Sequence, residues 1–264
     1  MRNDLVHKKI IVTGASGGIG KQLCLHIAKA GGIPIMLARS ADKLAELQLT
    51  LKNEFNRESY IYVVDLQEQD QVDYVLQNIL LEHQQVHALI NNAGIGVFDP
   101  FQQMDWTDIR QMFQLNVYSA IRLSQLVIPH FQKFEEGHIV NIASQAAKIA
   151  TPKSAAYGAS KHAILGFTNT MRQEIESKNI FVTAVNLGPV RTDFFSHADK
   201  EGSYQRSVER YMLNPDRVAK VTVSHLFSKK REINMPFWME MGSILYRIFP
   251  GVMEKMLKSQ FNKK

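Results

Sequence analysis

Runs of apolar and β-branched residues alternate along this chain with longer segments in which apolar positions recur at helical spacing. The apolar runs predict strands over residues 8–14, 33–39, 60–66, 87–94, 137–144 and 180–189, with a last strand around 232–236. The segments between them predict helices over residues 19–30, 41–55, 71–83, 106–131 and 155–177. Strand and helix therefore alternate through most of the chain.

The predicted strands are continuously apolar rather than alternately apolar and polar. Such strands are typical of a sheet that is covered on both faces. Regular alternation with helices then favours an α/β fold with a doubly wound parallel sheet, because each helix returns the chain to the next strand across one face of the sheet. We find no internal repeat, low-complexity tract or linker, so residues 1–264 are expected to form a single domain.

Residues 237–264 form an amphipathic C-terminal extension. Pro250 should divide it into two helices and stand early in the second. The extension carries five Lys or Arg and two Glu, and its apolar stripe can cover a pocket, contact another subunit or lie on a membrane. We favour packing against protein, at a subunit interface or over the pocket, with peripheral membrane contact as the alternative. The stripe comprises Met241, Leu245, Ile248, Val252, Met256 and Leu257.

Charge and cysteine content narrow the classes of function. The formal net charge is +6, but the basic residues are scattered and no nucleic-acid-binding motif is present, so we expect no nucleic-acid partner. The single cysteine, Cys24, excludes an intramolecular disulfide and fits a reducing compartment. The first residues run directly into an apolar strand and leave no room for a signal peptide. No apolar run approaches the ~20 residues that span a bilayer, so we expect a soluble cytoplasmic protein.

The sequence TGASGGIG, residues 13–20, joins the first predicted strand to the first predicted helix. Its glycines allow a tight turn and a close approach to a pyrophosphate, and the following helix offers free N–H groups to the same anion. Gly14, Ser16 and Gly18 also have the spacing of the nucleophile elbow of α/β hydrolases. That elbow follows several strands, whereas only 13 residues precede Gly14. We therefore exclude a hydrolase.

Tyr157 and Lys161 are one helical turn apart in the sequence YGASK, and only small residues separate them. On a helix the two polar groups share one face. A phenol needs about 4 kcal/mol of stabilisation as phenolate to titrate near neutral pH, and a cation about 4 Å away in a partly shielded site supplies about that much. The pair alone is equally compatible with two exposed helix residues, and the remaining motifs decide.

Together the motifs resemble those of the short-chain dehydrogenase/reductase family, from residue 8 to about residue 235. Each motif alone is weak, but seven of them in the family's order are specific. They are TGASGGIG at 13–20, Asp65 in VVDL, NNAG at 91–94, Asn116 in LNVYS, Ser144 in NIAS, YGASK at 157–161 and NLGPVRT at 186–192. In the last motif the usual Pro–Gly order is reversed, as Gly188 and Pro189.

The resemblance implies a Rossmann-type sheet with strand order 3-2-1-4-5-6-7, and a homodimer or homotetramer. It implies an oxidoreductase that transfers a hydride between a nicotinamide dinucleotide and a carbonyl or secondary alcohol. Tyr157 would be the general acid/base, Ser144 a hydrogen-bond donor to the substrate oxygen, Lys161 a partner of the nicotinamide ribose, and Asn116 the support of a water that links Lys161 to solvent. The expected cofactor contacts are Gly14, Ser16, Gly17, Gly18, Ile19, Gly20, Arg39, Ser40, Asp65, Leu66, Asn92, Ala93, Gly94, Tyr157, Lys161, Pro189, Val190 and Thr192.

The end of the second strand bears on the choice of dinucleotide. NAD enzymes usually carry an acidic residue there for the ribose 2′-hydroxyl, whereas this strand ends in LARS, residues 37–40. Arg39 offers a cation to a 2′-phosphate, although an exposed arginine at a strand end is common. We therefore expect NADP(H) rather than NAD(H).

Residues 191–213 should form a lid over the substrate. Their aromatic side chains favour a pocket for an apolar carbonyl or alcohol, or else pack the lid itself. The residues concerned are Phe194, Phe195, Tyr204, Tyr211 and Met212.

Two further interpretations concern a metal site and a protein without catalytic activity. His83 and His87 are four residues apart, but they straddle a helix end and a strand start, and we expect no metal site. The alternative function is a sensor or scaffold that binds NADP(H) without catalysis. Such relatives usually lack the tyrosine, lysine or serine, and all three are present here, so we favour the enzyme.

Overall fold

The computed structural model describes residues 5–175, 179–199 and 202–261. Within these residues the strands are β1 Lys9–Thr13, β2 Ile33–Ala38, β3 Tyr60–Val63, β4 Ala88–Asn91, β5 Gly137–Ile142, β6 Ile180–Leu187 and β7 Glu232–Met235. The helices are α1 Gly18–Lys29, α2 Ala41–Phe55, α3 Gln69–Glu82, α4 Trp106–Phe113, α5 Ser119–Lys133, α6 Ala155–Glu174, α7 Phe194–Ala198, α8 Ser203–Val208, α9 Pro215–Ser224, α10 Phe237–Ile248 and α11 Pro250–Phe261. Short 3-10 turns cover Phe101–Gln103, Gln145–Ala147 and Glu209–Tyr211.

The strands of the described residues form one parallel sheet in the order β3-β2-β1-β4-β5-β6-β7. Val12 in β1 lies beside Met36 of β2 on one side and beside Ile90 of β4 on the other. The doubly wound α/β fold and the strand order that the resemblance implies are both confirmed. Because the strand order reverses between β1 and β4, the loops that follow these strands leave a crevice at their carboxyl ends.

Each face of the sheet is covered by its own hydrophobic cluster. On one face the cluster joins α1, α2 and α9 to the strands, and it includes Val12, Leu23, Cys24, Leu47, Ile90, Val140 and Val218. On the other face the cluster joins α3, α5 and α6 to the strands, and it includes Ile11, Leu76, Leu89, Phe131, Ile139 and Met171. Successive strand residues point to opposite faces, so both kinds of position must be apolar. This accounts for the continuous apolar runs in the sequence.

The helix predicted over residues 106–131 is interrupted. α4 ends at Phe113, a π-helical turn covers Gln114–Tyr118, and α5 begins at Ser119. A π turn adds one residue to a helical turn and redirects the side chains within it. Asn116 lies in this turn and is 3% exposed. The interruption leaves no signal in the pattern of apolar residues, because apolar spacing over five residues is nearly the same with or without one added residue.

Several other boundaries differ from the prediction by one to three residues. α6 ends at Glu174, and residues 176–177 of the predicted helix lie outside the described residues. β3 ends at Val63 instead of continuing to Leu66, because the chain leaves the sheet there and turns towards α3. Over the residues that the structure describes, no helix combines the length and apolar character needed to cross a membrane.

The C-terminal extension forms α10 and α11, and Pro250 is the first residue of α11, as predicted. Its apolar stripe does not pack against this protomer's core. Met241, Leu245 and Ile248 are 45%, 48% and 59% exposed. Val252 and Met256 are also exposed, and the side chain of Leu257 is outside the described part. The stripe itself therefore does not cover the protomer's own pocket, although other residues of the extension line it.

Candidate active site

The glycine turn after β1 has the conformation that its sequence predicts. Gly14 and Gly18 have φ values of +65° and +50°, which disfavour other residues. A Cβ at Gly20 would lie 2.1 Å from the Gly14 carbonyl oxygen, so only glycine fits there. A Cβ at Gly17, by contrast, would have no heavy atom within 4 Å. No side chain caps the start of α1, so its N–H groups face this open space and suit a phosphate group.

Thr13 ties the end of β4 to this turn. Its hydroxyl oxygen accepts hydrogen bonds from the backbone N–H groups of Asn92 (2.9 Å) and Ala93 (3.0 Å). The Asn92 side chain donates to the Thr13 carbonyl at 2.8 Å. These bonds hold the two loops of the crevice in register. Sequence reasoning selected Asn92 and Ala93 but not Thr13, whose position at the strand end was the available signal.

Asn116 holds the loop after β4 against α6. Its Oδ1 accepts from the N–H of Ile95 at 2.8 Å, and its Nδ2 donates to the Ile95 carbonyl at 2.8 Å and to Ser160 Oγ at 3.0 Å. A Cβ at Gly94 would lie 3.0 Å from Asn116 Oδ1 and 3.5 Å from Lys161 Nζ. Both donors of the amide are thus used within the protein, and Asn116 and the Lys161 ammonium both border Gly94.

Ser144 and Tyr157 meet at the carboxyl end of β5. Ser144 Oγ accepts from the N–H of Ala146 at 3.1 Å and donates to the Leu187 carbonyl at 3.3 Å. Tyr157, in the first turn of α6, has a phenol whose pKa burial raises to about 12, while a hydrogen bond with Ser144 acts in the opposite direction. The phenol is therefore protonated at neutral pH.

Lys161 follows Tyr157 by one turn of α6 and is buried (6% exposed). Its ammonium donates to the Ile142 carbonyl at 3.0 Å and lies 5.8 Å from the centre of the Tyr157 ring. Burial lowers the pKa of this lysine to about 8. The sequence led us to expect that Lys161 lowers the pKa of Tyr157 to near neutrality. In the protein alone burial dominates, and the pKa of Tyr157 is raised instead.

A cavity of about 1430 Å³ opens over these groups and extends from the glycine turn to the C-terminal helices. Fourteen of the predicted site residues line it: Gly14, Ser16, Gly17, Gly18, Ile19, Asn92, Ala93, Gly94, Ser144, Tyr157, Lys161, Pro189, Val190 and Thr192. Gly20 and Asn116 lie behind the wall, and Leu66 is buried in the core.

The predicted residues at the ends of β2 and β3 are outside the cavity lining. Arg39 is exposed, and its Nη1 lies 3.8 Å from the Asp65 carboxylate. Ser40 is exposed beside it, at the start of α2. Asp65 also accepts a hydrogen bond from the N–H of Gln67 at 3.0 Å. These side chains form a polar rim beyond the glycine turn.

Aromatic rings form the wall opposite the glycine turn. The Phe98 ring lies 5.5 Å from that of Tyr157 and 5.2 Å from that of Tyr204, and Phe194 lies 5.7 Å from Tyr157. In the segment 191–213, Phe194, Tyr204 and Tyr211 line the cavity with Phe195, whereas Met212 does not. Residues 200–201 of this predicted lid lie outside the described residues.

Several lining residues were missed by sequence reasoning. Phe98 lies in the loop after NNAG, where an isolated aromatic residue was the only signal. The others come from the C-terminal extension, which the sequence linked to a pocket only in general terms. They are Trp238, Met239, Gly242, Tyr246 and Met253.

His83 and His87 occupy separate environments. The Tyr62 hydroxyl lies 2.8 Å from His83 Nε2, and His87 Nδ1 accepts from the N–H of Lys9 at 3.1 Å. Burial lowers the pKa of His87 to about 4. Both rings are accounted for by local hydrogen bonds.

Comparisons with known proteins agree with this geometry. The model of the family described as "short chain dehydrogenase" matches residues 8–202. An L-xylulose reductase from Caenorhabditis elegans is 37% identical over 191 residues, which cover 72% of this chain and 74% of that protein. A fatty acyl-CoA reductase from Acinetobacter baylyi is 28% identical over 270 residues, covering 99% of this chain and 86% of that protein.

Solved structures share the fold. A short-chain dehydrogenase/reductase from Burkholderia phymatum in complex with NAD superposes with a TM-score of 0.84 at 21% identity, over 94% of this chain and 96% of that one. A short-chain dehydrogenase from Sphingobium yanoikuyae in complex with NADPH superposes with a TM-score of 0.78 at 23% identity, over 92% and 96%. With the family match over residues 8–202, the chain belongs to the short-chain dehydrogenase family of oxidoreductases.

Proposed function

We propose that this chain is an NADP(H)-dependent oxidoreductase that interconverts a carbonyl and a secondary alcohol, with Tyr157 as its general acid/base. The proposal rests on the arrangement of side chains around the cavity. The phenol of Tyr157, hydrogen-bonded to Ser144 and one turn from Lys161, faces the same cavity as the glycine turn. A proton donor and a phosphate-binding turn in one cavity are what carbonyl reduction by a dinucleotide requires.

The residues of the crevice fit a nicotinamide dinucleotide. The open space at Gly17 and the uncapped start of α1 suit its pyrophosphate. Lys161, whose pKa of about 8 leaves it largely protonated at neutral pH, offers hydrogen bonds to a ribose. When bound, this cofactor supplies or accepts the hydride. Thr13 and Asn116 would not contact the cofactor, but they hold the two loops that would.

Proton handling follows from the ionisation of Tyr157. In the reductive direction the carbonyl oxygen gains an electron pair as hydride reaches its carbon, and it takes the phenol proton. Ser144 donates a hydrogen bond to the same oxygen, and the Lys161 charge stabilises the phenolate that remains. Because burial raises the pKa of Tyr157 to about 12, the phenol carries at neutral pH the proton that carbonyl reduction consumes.

Arg39 supports the choice of NADP(H). Its guanidinium is 67% exposed at the end of β2, and its contact with Asp65, at 3.8 Å, is too long for a hydrogen bond. Such an arginine can turn towards a 2′-phosphate without breaking a strong interaction in the protein. The two similar structures contain NAD in one case and NADPH in the other, so the preference of this chain rests on Arg39.

The substrate that we propose is an apolar carbonyl or alcohol. Phe98 and Phe194 pack against the Tyr157 ring, and Tyr204 packs against Phe98, so aromatic carbon covers much of this side of the cavity. One relative is named for a fatty acyl-CoA and another for a sugar, so the lining of the cavity is the stronger guide.

The proposal is tested by NADPH oxidation with a panel of aldehydes, ketones and quinones of rising apolar surface. We expect turnover that improves with apolar surface and is lost in Tyr157→Phe. Tyr74→Phe, at an exposed tyrosine of α3, serves as the matched control. If NADPH binds but no member of the panel is reduced, the catalytic role is refuted and the sensor or scaffold is favoured.

A further inference from the structure

Helix α10 turns its polar side inwards and its apolar side outwards. Ser243 is 0% exposed, and Glu240 is bound to the buried ammonium of Lys148 at 2.8 Å. The opposite face carries Phe237, Trp238, Met241, Ile244, Leu245 and Ile248, which are 40–72% exposed. A helix on the surface of a soluble domain normally has the reverse orientation. The Glu240 contact fixes the orientation, so rotation of the helix cannot hide the apolar face.

The outward face continues into α11 and forms a concentrated patch, which we call the tail face. It adds Phe249, Val252 and Met256, which are 58%, 57% and 71% exposed. In the described parts of the chain, nine large apolar side chains with at least 40% exposure thus fall between positions 237 and 256, and nine others are spread over all remaining positions. Patches of this kind mark a binding surface.

We propose that the tail face docks on the surface of an anionic lipid bilayer, with α10 and α11 lying in its plane. The charge of the extension favours this occupant over a second copy of the chain. Arg247 and Lys255 are exposed, and Lys258, Lys263 and Lys264 add to the positive charge of the sequence. Glu240 is already paired with Lys148, so Glu254, which accepts a hydrogen bond from Tyr246 at 2.8 Å and keeps its charge, is the one acidic residue of the extension that is left to offset these cations. Two such faces would repel each other, whereas anionic headgroups attract them.

The tail face adjoins the mouth of the catalytic cavity. Trp238 lies 5.6 Å from Tyr211, and both rings line the cavity while their helices reach the surface. Met239, Tyr246 and Met253 line it from the inner side of the same two helices. A docked protein would therefore open its cavity beside the acyl region. This step rests on the proposed function. It identifies the substrates as apolar carbonyls or alcohols that are dissolved in the bilayer.

Vesicle binding of the full chain tests the docking. Flotation is measured with vesicles of phosphatidylcholine alone and of phosphatidylcholine mixed with phosphatidylserine. We expect binding to the anionic vesicles, weakened by salt. L245E/I248E changes two outward residues that do not line the cavity, and it should lower vesicle affinity about 100-fold. The matched control L49E/L81E introduces the same charges at exposed leucines of α2 and α3 and should bind as the wild type does.

A second pair of variants tests the charge. R247Q/K255Q should lower affinity for anionic vesicles about 30-fold and leave the weak binding to neutral vesicles unchanged. K52Q/K220Q, at exposed lysines of α2 and α9, should have a much smaller effect. Each variant's NADPH oxidation with a water-soluble carbonyl is measured separately, so that loss of docking and loss of catalysis are distinguished.

Three outcomes would overturn the proposal. The first is a wild type that does not float with anionic vesicles. The second is L245E/I248E floating as well as L49E/L81E does. In the third, light scattering finds a wild-type dimer that L245E/I248E converts to monomer, without vesicle binding by either, which assigns the tail face to a second copy. Docking without turnover of any carbonyl would leave the membrane surface intact and refute only the assignment of substrate.

Discussion

Lys148 Nζ lies 2.8 Å from Glu240 Oε2, and this ion pair joins the turn after Ser144 to the C-terminal helix α10. The ammonium also contacts Glu232 Oε2 at 2.7 Å and Asn234 Oδ1 at 3.0 Å. The Lys148 side chain is 3% exposed, whereas the two carboxylates are 22% and 16% exposed. One buried cation thus holds two carboxylates from separate elements, and it couples the extension to the catalytic end of β5.

Lys148→Met should destabilise the fold by about 3 kcal/mol, because it leaves two partly buried carboxylates facing each other without a cation. Urea unfolding measures the change. Lys220→Met, at an exposed lysine of α9, should change stability by less than about 0.5 kcal/mol. Equal stability of the two variants would contradict the role assigned to the ion pair.

Tyr157→Phe should lower turnover about 10³-fold and leave the Kd for NADPH nearly unchanged, since only the proton-carrying oxygen is removed. Lys161→Ala should reduce both turnover and NADPH affinity, because its charge serves the phenolate and the ribose. Steady-state kinetics and fluorescence titration separate the two effects. Substantial turnover in Tyr157→Phe would remove this tyrosine from the reaction.

NADPH should bind more tightly than NADH, by about tenfold, because Arg39 can pair with the 2′-phosphate. Arg39→Asp should reverse the preference, whereas Arg110→Asp, at an exposed arginine of α4, should leave it intact. Fluorescence titration of the three proteins with both dinucleotides provides the six dissociation constants for comparison. A wild type with equal affinities would show that Arg39 does not select the cofactor.

Burial of Lys161 should make stability depend on alkaline pH. Its pKa falls from 10.5 to about 8 on folding, so between these values the unfolded chain binds more protons and stability rises with pH. Lys161→Met removes this dependence. The variant should gain most, by about 3 kcal/mol, at neutral pH, and the gain should shrink as the pH rises from about 8 to about 10. Urea unfolding of both proteins across this range checks the difference, and a constant difference would refute it.

Gly96→Ala should alter substrate affinity more than stability. A Cβ at this position would lie 2.6 Å from Phe194 Cζ and 3.2 Å from Tyr157 Cδ2. The outer end of the Phe194 ring can move, but only by changing the wall of the cavity. We expect KM for the best carbonyl to rise about tenfold. Gly166→Ala, whose Cβ would have nothing within 4 Å, is the control. An unchanged KM in Gly96→Ala would show that Phe194 does not contact the substrate.

The sheet could be predicted because the apolar character that each strand needs is visible within a short stretch of sequence. The central strands are covered on both faces, so every residue of a run such as Ile10, Ile11 and Val12 must be apolar, and the run itself is the signal. The glycine turn and the Tyr157–Lys161 pair are also short in sequence. Their positions at strand ends and in one helical turn follow from spacing alone.

Features that depend on distant partners could not be predicted in the same way. Helical spacing shows that α10 has an apolar stripe, but its direction depends on Glu240 reaching Lys148, which lies 92 positions earlier. The pKa of Tyr157 depends on its burial, which raises it, and on its hydrogen bond with Ser144, which lowers it. The π turn at Asn116 arises where that amide must bond to both Ile95 and Ser160. None of these partners is adjacent in sequence.

Cys24 lies fully buried in the cluster between α1 and α9, and burial raises the pKa of its thiol well above the ordinary value. As the single cysteine of the chain, it will react with thiol reagents only when this cluster opens. Its rate of labelling under native conditions therefore reports global opening without any engineered probe. A second cysteine placed on an exposed helix will be labelled selectively in the folded protein, so a spectroscopic reporter can be attached without first removing Cys24.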